Sequence, residues 1–150
     1  MNTNLKQLQI ILEKKDIKPT YIRLKILNYL ENKKTHFRAE KIFKAIKKEI
    51  PTISLTTVYN TLDIFRKKGL IRPLFITGKE VHYDRDTSSH FHFFCEKCGR
   101  IINLDTEYDG FEKENIGGNK IKEVYGYFKG VCKDCKNKKM NIKGEKNENV

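Results

Sequence analysis

The sequence predicts an α+β chain in two parts, and three observations predict it. Apolar residues recur at helical spacing as far as Lys68, then give way to two short apolar runs flanking Thr77-Gly78-Lys79-Glu80. Asp84-Arg85-Asp86-Thr87-Ser88-Ser89 is polar throughout and reads as a hinge, residues 84–89. Two Cys-x-x-Cys pairs, Cys95/Cys98 and Cys132/Cys135, then bracket a small second part.

Taken in order, Leu5, Leu8, Ile11 and Leu12 give a helix over residues 5–15 one apolar face, and Lys18-Pro19 ends it. Thr20 sits where an N-cap belongs, ahead of a helix from Tyr21 to Leu30 that buries Ile26, Leu27 and Leu30. Asn32 to His36 is a loop. A third helix, roughly residues 38–49, carries Ile42, Phe43 and Ile46 on one face, with Pro51 beyond its end. Ser54 caps a fourth that runs to Lys68, and Gly69 is its natural C′ residue. Leu55, Val58, Leu62 and Phe65 face inward on that helix, while Thr56, Thr57, Tyr59, Asn60 and Asp63 face out. Leu70–Ile76 and Val81–Asp84 then make a hairpin. Short helices followed by a hairpin are the order of a winged helix-turn-helix domain, here residues 1–83, with residues 56–63 as its recognition surface. A plain α+β bundle without a ligand shares this pattern, and only the charge of the chain argues against it.

That charge is +12, from 31 Lys and Arg against 19 Asp and Glu, which points to a polyanion partner, nucleic acid first. Compositional bias toward Lys and Asn is the bland explanation. No apolar run is long enough for a membrane span, and the first residues have no signal-peptide core, so a cytoplasmic protein is expected. In a reducing cytosol, four cysteines read as a metal site before they read as two disulfides.

The second part, residues 90–136, is expected to hold strands at 90–95 and 100–104 and a short helix near 109–115. Gly117-Gly118 and a strand pair around 120–131 follow. A domain this small needs a metal or a partner subunit to be stable, so zinc and dimerisation are both expected of this α/β unit. Residues 137–150 are rich in Lys, Asn and Glu and read as a disordered basic tail.

Two residues between the cysteines of each pair let a tight turn aim both sulfurs at one ion. Four thiolates make a closed tetrahedral zinc site, which stabilises without catalysing. A redox-active dithiol is the other use of the same residues. His90 and His92 alternate on a strand, about 6.6 Å apart along one face, and suit a second metal. His82 and Asp84 share another strand face, and His36 lies in the loop before the third helix. No Ser–His–Asp set, phosphate-binding glycine loop or His-x-Glu pair is present, so an enzyme is not expected.

Ser54 to Leu62, the hairpin, His90-x-His92-x-x-Cys95-x-x-Cys98-Gly99 and Cys132-x-x-Cys135 together resemble the ferric uptake regulator family, over residues 5–136. Asn60 stands in Thr57-Val58-Tyr59-Asn60 where iron-responsive members usually carry Arg, which resembles the peroxide-sensing (PerR) branch. The resemblance implies a homodimeric, metal-dependent repressor of palindromic double-stranded operators, contacting DNA through Thr56, Thr57, Tyr59, Asn60 and Lys67. It implies structural zinc on Cys95, Cys98, Cys132 and Cys135. It also implies a regulatory Fe(II) or Mn(II) on His36, Asp84, His90, His92 and one strand carboxylate, with peroxide oxidising a ligand histidine. At that last position this chain has Asn103 in place of an acid, with Asp105 as the alternative. Phe91 and Val124 replace an acid and a histidine of the extra site found in many iron sensors, and the segment between the cysteine pairs is a few residues short. Asp63 is expected to repel phosphate. Other readings are an iron- or zinc-responsive regulator of the same family and, in a different class, a zinc-thiolate redox switch.

Overall fold

The computed structural model describes residues 4–33, 36–76, 78, 80–104, 114–122, 124 and 126–144. It divides into two compact units, Met1–Thr87 and Ser88–Val150.

The first unit begins with α1 (Leu5–Lys14), α2 (Tyr21–Asn32), α3 (Ala39–Lys47) and α4 (Leu55–Lys67). Two of the starts are side-chain caps read from the sequence. Thr20 Oγ1 accepts the Arg23 N–H at 3.4 Å, and Ser54 Oγ accepts the Thr57 N–H at 3.1 Å. At the end of α4, Gly69 turns the chain at φ +69°, a conformation that disfavours any side chain. Leu8, Leu12, Ile26, Leu27, Leu30, Ile42, Val58, Leu62 and Phe65 form one fully buried core across the four helices. Each such side chain contributes about 1.5–3 kcal/mol of burial. Thr61 is buried too, which the outward reading of residues 56–63 did not anticipate.

The hairpin follows as β1 (Arg72–Leu74) and β2 (His82–Asp84), antiparallel, with Arg72 opposite Asp84 and Leu74 opposite His82. Asp84 is therefore the last residue of a strand. Phe37, buried just before α3, bridges to Tyr83 on β2 through reciprocal backbone bonds of 3.0 and 2.7 Å. This bridge fixes the loop that carries His36.

In the second unit, β3 (Phe91–Cys95) pairs antiparallel with β4 (Ile101–Leu104) and parallel with β7 (Tyr127–Gly130), in the order β4-β3-β7. Gly130 lies close under Phe93. A Cβ there would stand 3.3 Å from the Phe93 ring. Asn115–Ile116 (β5) and Asn119–Lys120 (β6) form a tight hairpin around Gly117 and Gly118, both at positive φ as a two-residue primed turn demands. The helix expected near 109–115 is thus a strand at its described end, and residues 109–113 lie outside the described residues. The chain closes with α5 (Lys133–Gly144). Residues 137–144, read from composition as disordered, continue that helix, and 145–150 lie outside the described residues. Among the described residues no helix is long and apolar enough to cross a membrane.

Candidate metal centres and recognition helix

Each cysteine pair is aimed by a backbone turn. Cys95 ends β3, and its N–H donates to the Arg100 carbonyl at 2.9 Å. Its own carbonyl accepts the Gly99 N–H at 2.8 Å. Gly99, at φ +69°, lets the chain reverse there. The second turn opens α5, where the Lys136 N–H bonds the Cys132 carbonyl at 2.9 Å. The result brings all four sulfurs within 4.8 Å of one another, with Cys98 and Cys132 Sγ 3.8 Å apart. Tetrahedral zinc with Zn–S bonds of about 2.3 Å requires sulfurs about 3.8 Å apart, so the four residues fit the ion. None of the four is in a disulfide.

Electrostatics around the sulfurs favour thiolates on one side of the cluster. Backbone N–H groups of Cys132 and Cys98 hold the Cys95 thiol down at about 6. The Arg100 guanidinium lowers Cys98, whereas the Cys132 thiol and its neighbours push Cys135 up to about 12. Such splitting is what four crowded acids show before a cation neutralises them. Arg100 was not singled out in the sequence. It donates to Cys98 Sγ and Cys132 Sγ, each at 3.4 Å, and to Asp134 at 2.5 Å. A basic residue beside a Cys-x-x-Cys pair was the only available signal.

Two close ligand pairs involve histidines, one within each unit. In the first, His36 Nε2 lies 3.3 Å from Asp84 Oδ2, both side chains 8% exposed. The other Asp84 oxygen accepts the Asp86 N–H at 2.9 Å, which orients the carboxylate. In the second unit, His90 Nε2 and His92 Nε2 meet at 3.0 Å. His90 Nδ1 bonds the Ser88 carbonyl at 2.9 Å. A carbonyl can only accept, so Nδ1 donates, and it is Nε2 that faces His92. Ligands bound at about 2.1 Å stand roughly 3.0–3.4 Å apart around an octahedral or tetrahedral ion, a range both pairs meet.

Asn103 lies directly across the β3–β4 ladder from His92, so the two side chains share a sheet face, although Asn103 is exposed and His92 is buried. Asp105 lies outside the described residues. Among the described residues His82 joins no ligand cluster. Its Nδ1 is buried without a hydrogen-bond partner, and burial holds the ring's pKa below its ordinary value.

On α4, Thr56, Tyr59, Asn60 and Lys67 are exposed. Thr57 is half-buried because its hydroxyl joins the Ser54 cap at 2.8 Å. The Tyr59 hydroxyl donates to Glu40 at 2.5 Å. Asp63 is not the bare charge the sequence implied. It holds Arg66 and Lys67, each at 2.8 Å.

Comparison with known proteins matches residues 14–125 to the ferric uptake regulator family. The peroxide operon regulator of Bacillus subtilis (strain 168) is 34% identical over 139 residues, spanning 89% of this chain and 94% of that protein. The ferric uptake regulator from Francisella tularensis, solved with iron, aligns at TM-score 0.67 and 28% identity over 80% of this chain and 95% of its own. That from Pseudomonas aeruginosa, solved with manganese, aligns at TM-score 0.67 and 27% identity over 83% and 97%. The match runs through α2, α3 and α4, the hairpin, the histidine strand and the first cysteine turn, and on it this chain belongs to the ferric uptake regulator family.

Proposed function

We propose that the chain is a cytoplasmic, homodimeric, metal-dependent repressor of the peroxide-responsive type, which binds double-stranded operators and is not an enzyme. The observation that carries this reading is the paired arrangement of His90 and His92, with Nδ1 of His90 locked so that both Nε2 atoms converge.

Zinc on Cys95, Cys98, Cys132 and Cys135 stabilises the second unit, because four thiolates leave it no open position. His36 and Asp84 of the first unit, His90 and His92 of the second, and Asn103 or Asp105 would hold a regulatory ion. Fe(II) or Mn(II) at that position supplies divalent charge, and Fe(II) also supplies reactivity toward peroxide. The residues do the rest. With an ion bound, ligands from both sides of residues 85–89 would restrict that segment and favour the DNA-competent arrangement through differential affinity. Oxidation of a histidine ligand removes a donor nitrogen and with it that preference. In a dimer, two α4 helices must lie about 34 Å apart to enter successive major grooves. Thr56, Thr57, Tyr59 and Asn60 face base edges and sugar-phosphate there, and Lys67 a phosphate.

Dimerisation is supported by β7, an edge strand among the described residues, whose Tyr127 and Phe128 are 45% and 49% exposed. Aromatic residues on an open edge invite a second copy. Selection of binding sites from a random duplex pool, with Mn(II), with Fe(II) and with chelator, tests the reading. A palindrome enriched only with metal, and lost from the Fe(II) form on mild peroxide, is expected. A zinc-thiolate redox switch enriches no sequence and loses only zinc.

A further inference from the structure

We propose that Arg100 is a positioning residue of the cysteine site, holding the Cys98 and Cys132 sulfurs in ligand geometry and shielding them from oxidants. The proposal rests on the zinc reading above. Arg100 bonds to both cysteine turns. Its carbonyl closes the first by accepting the Cys95 N–H at 2.9 Å. Its guanidinium reaches across to the second, donating to Cys132 Sγ at 3.4 Å and to Asp134 at 2.5 Å while also bonding Cys98 Sγ at 3.4 Å. Asp134, inside the second Cys-x-x-Cys, therefore orients the fork from the far side.

Charge explains why this matters. Zinc with four thiolates carries two net negative charges, and Asp134 adds a third close by. Such sulfurs are electron-rich, and Cys98 is exposed. N–H donors on sulfur withdraw electron density and occupy the direction from which an electrophile approaches. The reaction held back is a balanced one. The Cys98 thiolate attacks one oxygen of hydrogen peroxide, giving a sulfenic acid and hydroxide. The Cys132 thiolate then displaces the second hydroxide, forming the disulfide. Two thiolates lose two electrons, peroxide gains them and with two protons becomes two waters, and zinc loses two ligands. The Arg100 and Asp134 side chains are 52% and 63% exposed, so their pair adds little to folding stability. Its effect belongs in the reactivity of the sulfurs.

The experiment uses full-length protein, treated with EDTA to remove weakly held ions. Zinc release is followed with 4-(2-pyridylazo)resorcinol over a series of hydrogen peroxide concentrations. The slope against peroxide reports sulfur reactivity, and the intercept reports spontaneous dissociation, which a merely structural role would raise. Arg100→Ala is expected to steepen the slope by about tenfold, the lower range for loss of an outer partner of a metal ligand. Arg100→Lys keeps the charge but cannot fork, and is expected between the two. It decides the matter if Arg100→Ala retains no zinc. A slope in Arg100→Ala equal to wild type, or in Arg100→Lys equal to wild type, overturns the proposal. Wild-type protein without EDTA-resistant zinc would instead sink the zinc reading itself.

Discussion

Tyr59 on α4 donates its hydroxyl proton to the Glu40 carboxylate on α3 at 2.5 Å, tying together the outer faces of the two helices that make up the helix-turn-helix. The bond pushes the Tyr59 phenol up to about 12 and holds Glu40 below the usual carboxylate range. Tyr59 thus has no proton to spare for a phosphate. In the proposed complex it would offer DNA its ring, an apolar surface suited to a thymine methyl, and an acceptor oxygen.

The first prediction follows from that bond. In Glu40→Gln the Tyr59 phenolate, followed by ultraviolet absorbance with Tyr59→Phe as the blank, should titrate well below the wild-type value of about 12. Glu40 has a depressed pKa in the fold, so its contribution is present above the unfolded value near 4.5 and fades as pH falls through the lower folded value. Tyr59→Phe should cost about 0.5–1.5 kcal/mol at neutral pH, toward the low end for an exposed pair, and less in acid. Urea midpoints at both pH values are the check, and an acid sensitivity unchanged by Tyr59→Phe would count against it.

A second prediction concerns the charges further along α4. Asp63 holds both Arg66 and Lys67, so neither cation is fully available to a phosphate. Exposed pairs of this kind are worth little to stability. Asp63→Asn should therefore leave the melting temperature nearly unchanged. Binding to random duplex should tighten, and the salt slope should steepen by about 0.9 for each phosphate newly reached. Asn60→Ala should behave differently, costing about 1–3 kcal/mol at one base position and relaxing discrimination there. Fluorescence anisotropy across a salt series separates them. Equal slopes in wild type and Asp63→Asn would mean that α4 does not lie against phosphates.

What could be read in the sequence was local. Thr20 and Ser54 bond amides three residues away, and Gly69 is required by its own backbone angle, so residue type and spacing sufficed. The sulfur cluster was readable because each half is a short turn. The misses are contacts between distant residues, or competitions between two local signals. Tyr59 and Glu40 are 19 residues apart, Arg100 and Asp134 are 34 apart, and no spacing rule links either pair. The polar run after Cys135 lacks a core-facing stripe, yet α5 starts inside the second cysteine turn, which bears the cost of nucleating a helix. At residue 115 the hairpin around Gly117-Gly118 stands where the end of a short helix was expected.

The third prediction tests the cysteine site as a folding element. Cys95 is fully buried, and its sulfur also accepts the Cys132 N–H at 3.3 Å. Cys95→Ser should release zinc and, with it, the ~10 kcal/mol or more by which a structural zinc site supports its fold. The second unit should lose its protease resistance and its ability to dimerise, while the first, with its own core, keeps its helical signal. Zinc analysis and size-exclusion chromatography are the measurements, and a zinc-free dimer would contradict the assignment.

The last prediction turns on Asn103, which sits across the ladder from His92 on the same sheet face. A divalent ion held by Asp84 and a second carboxylate is formally neutral; with Asn103 it keeps one uncompensated positive charge. An amide oxygen is also a weaker donor to a hard cation, while three imidazoles favour ions later in the first row. Wild-type protein should therefore bind Mn(II) weakly, with Fe(II) and Zn(II) relatively preferred. Asn103→Asp should tighten Mn(II) by roughly tenfold or more, because affinity for hard cations follows the number of charged ligands. Asp105→Ala should leave the wild-type affinity nearly unchanged if Asn103 occupies the ligand position. Mn(II) titrations of all three proteins, read by DNA binding, separate the cases. No tightening in Asn103→Asp would refute the charge argument, and a large loss in Asp105→Ala would make Asp105 the ligand in place of Asn103.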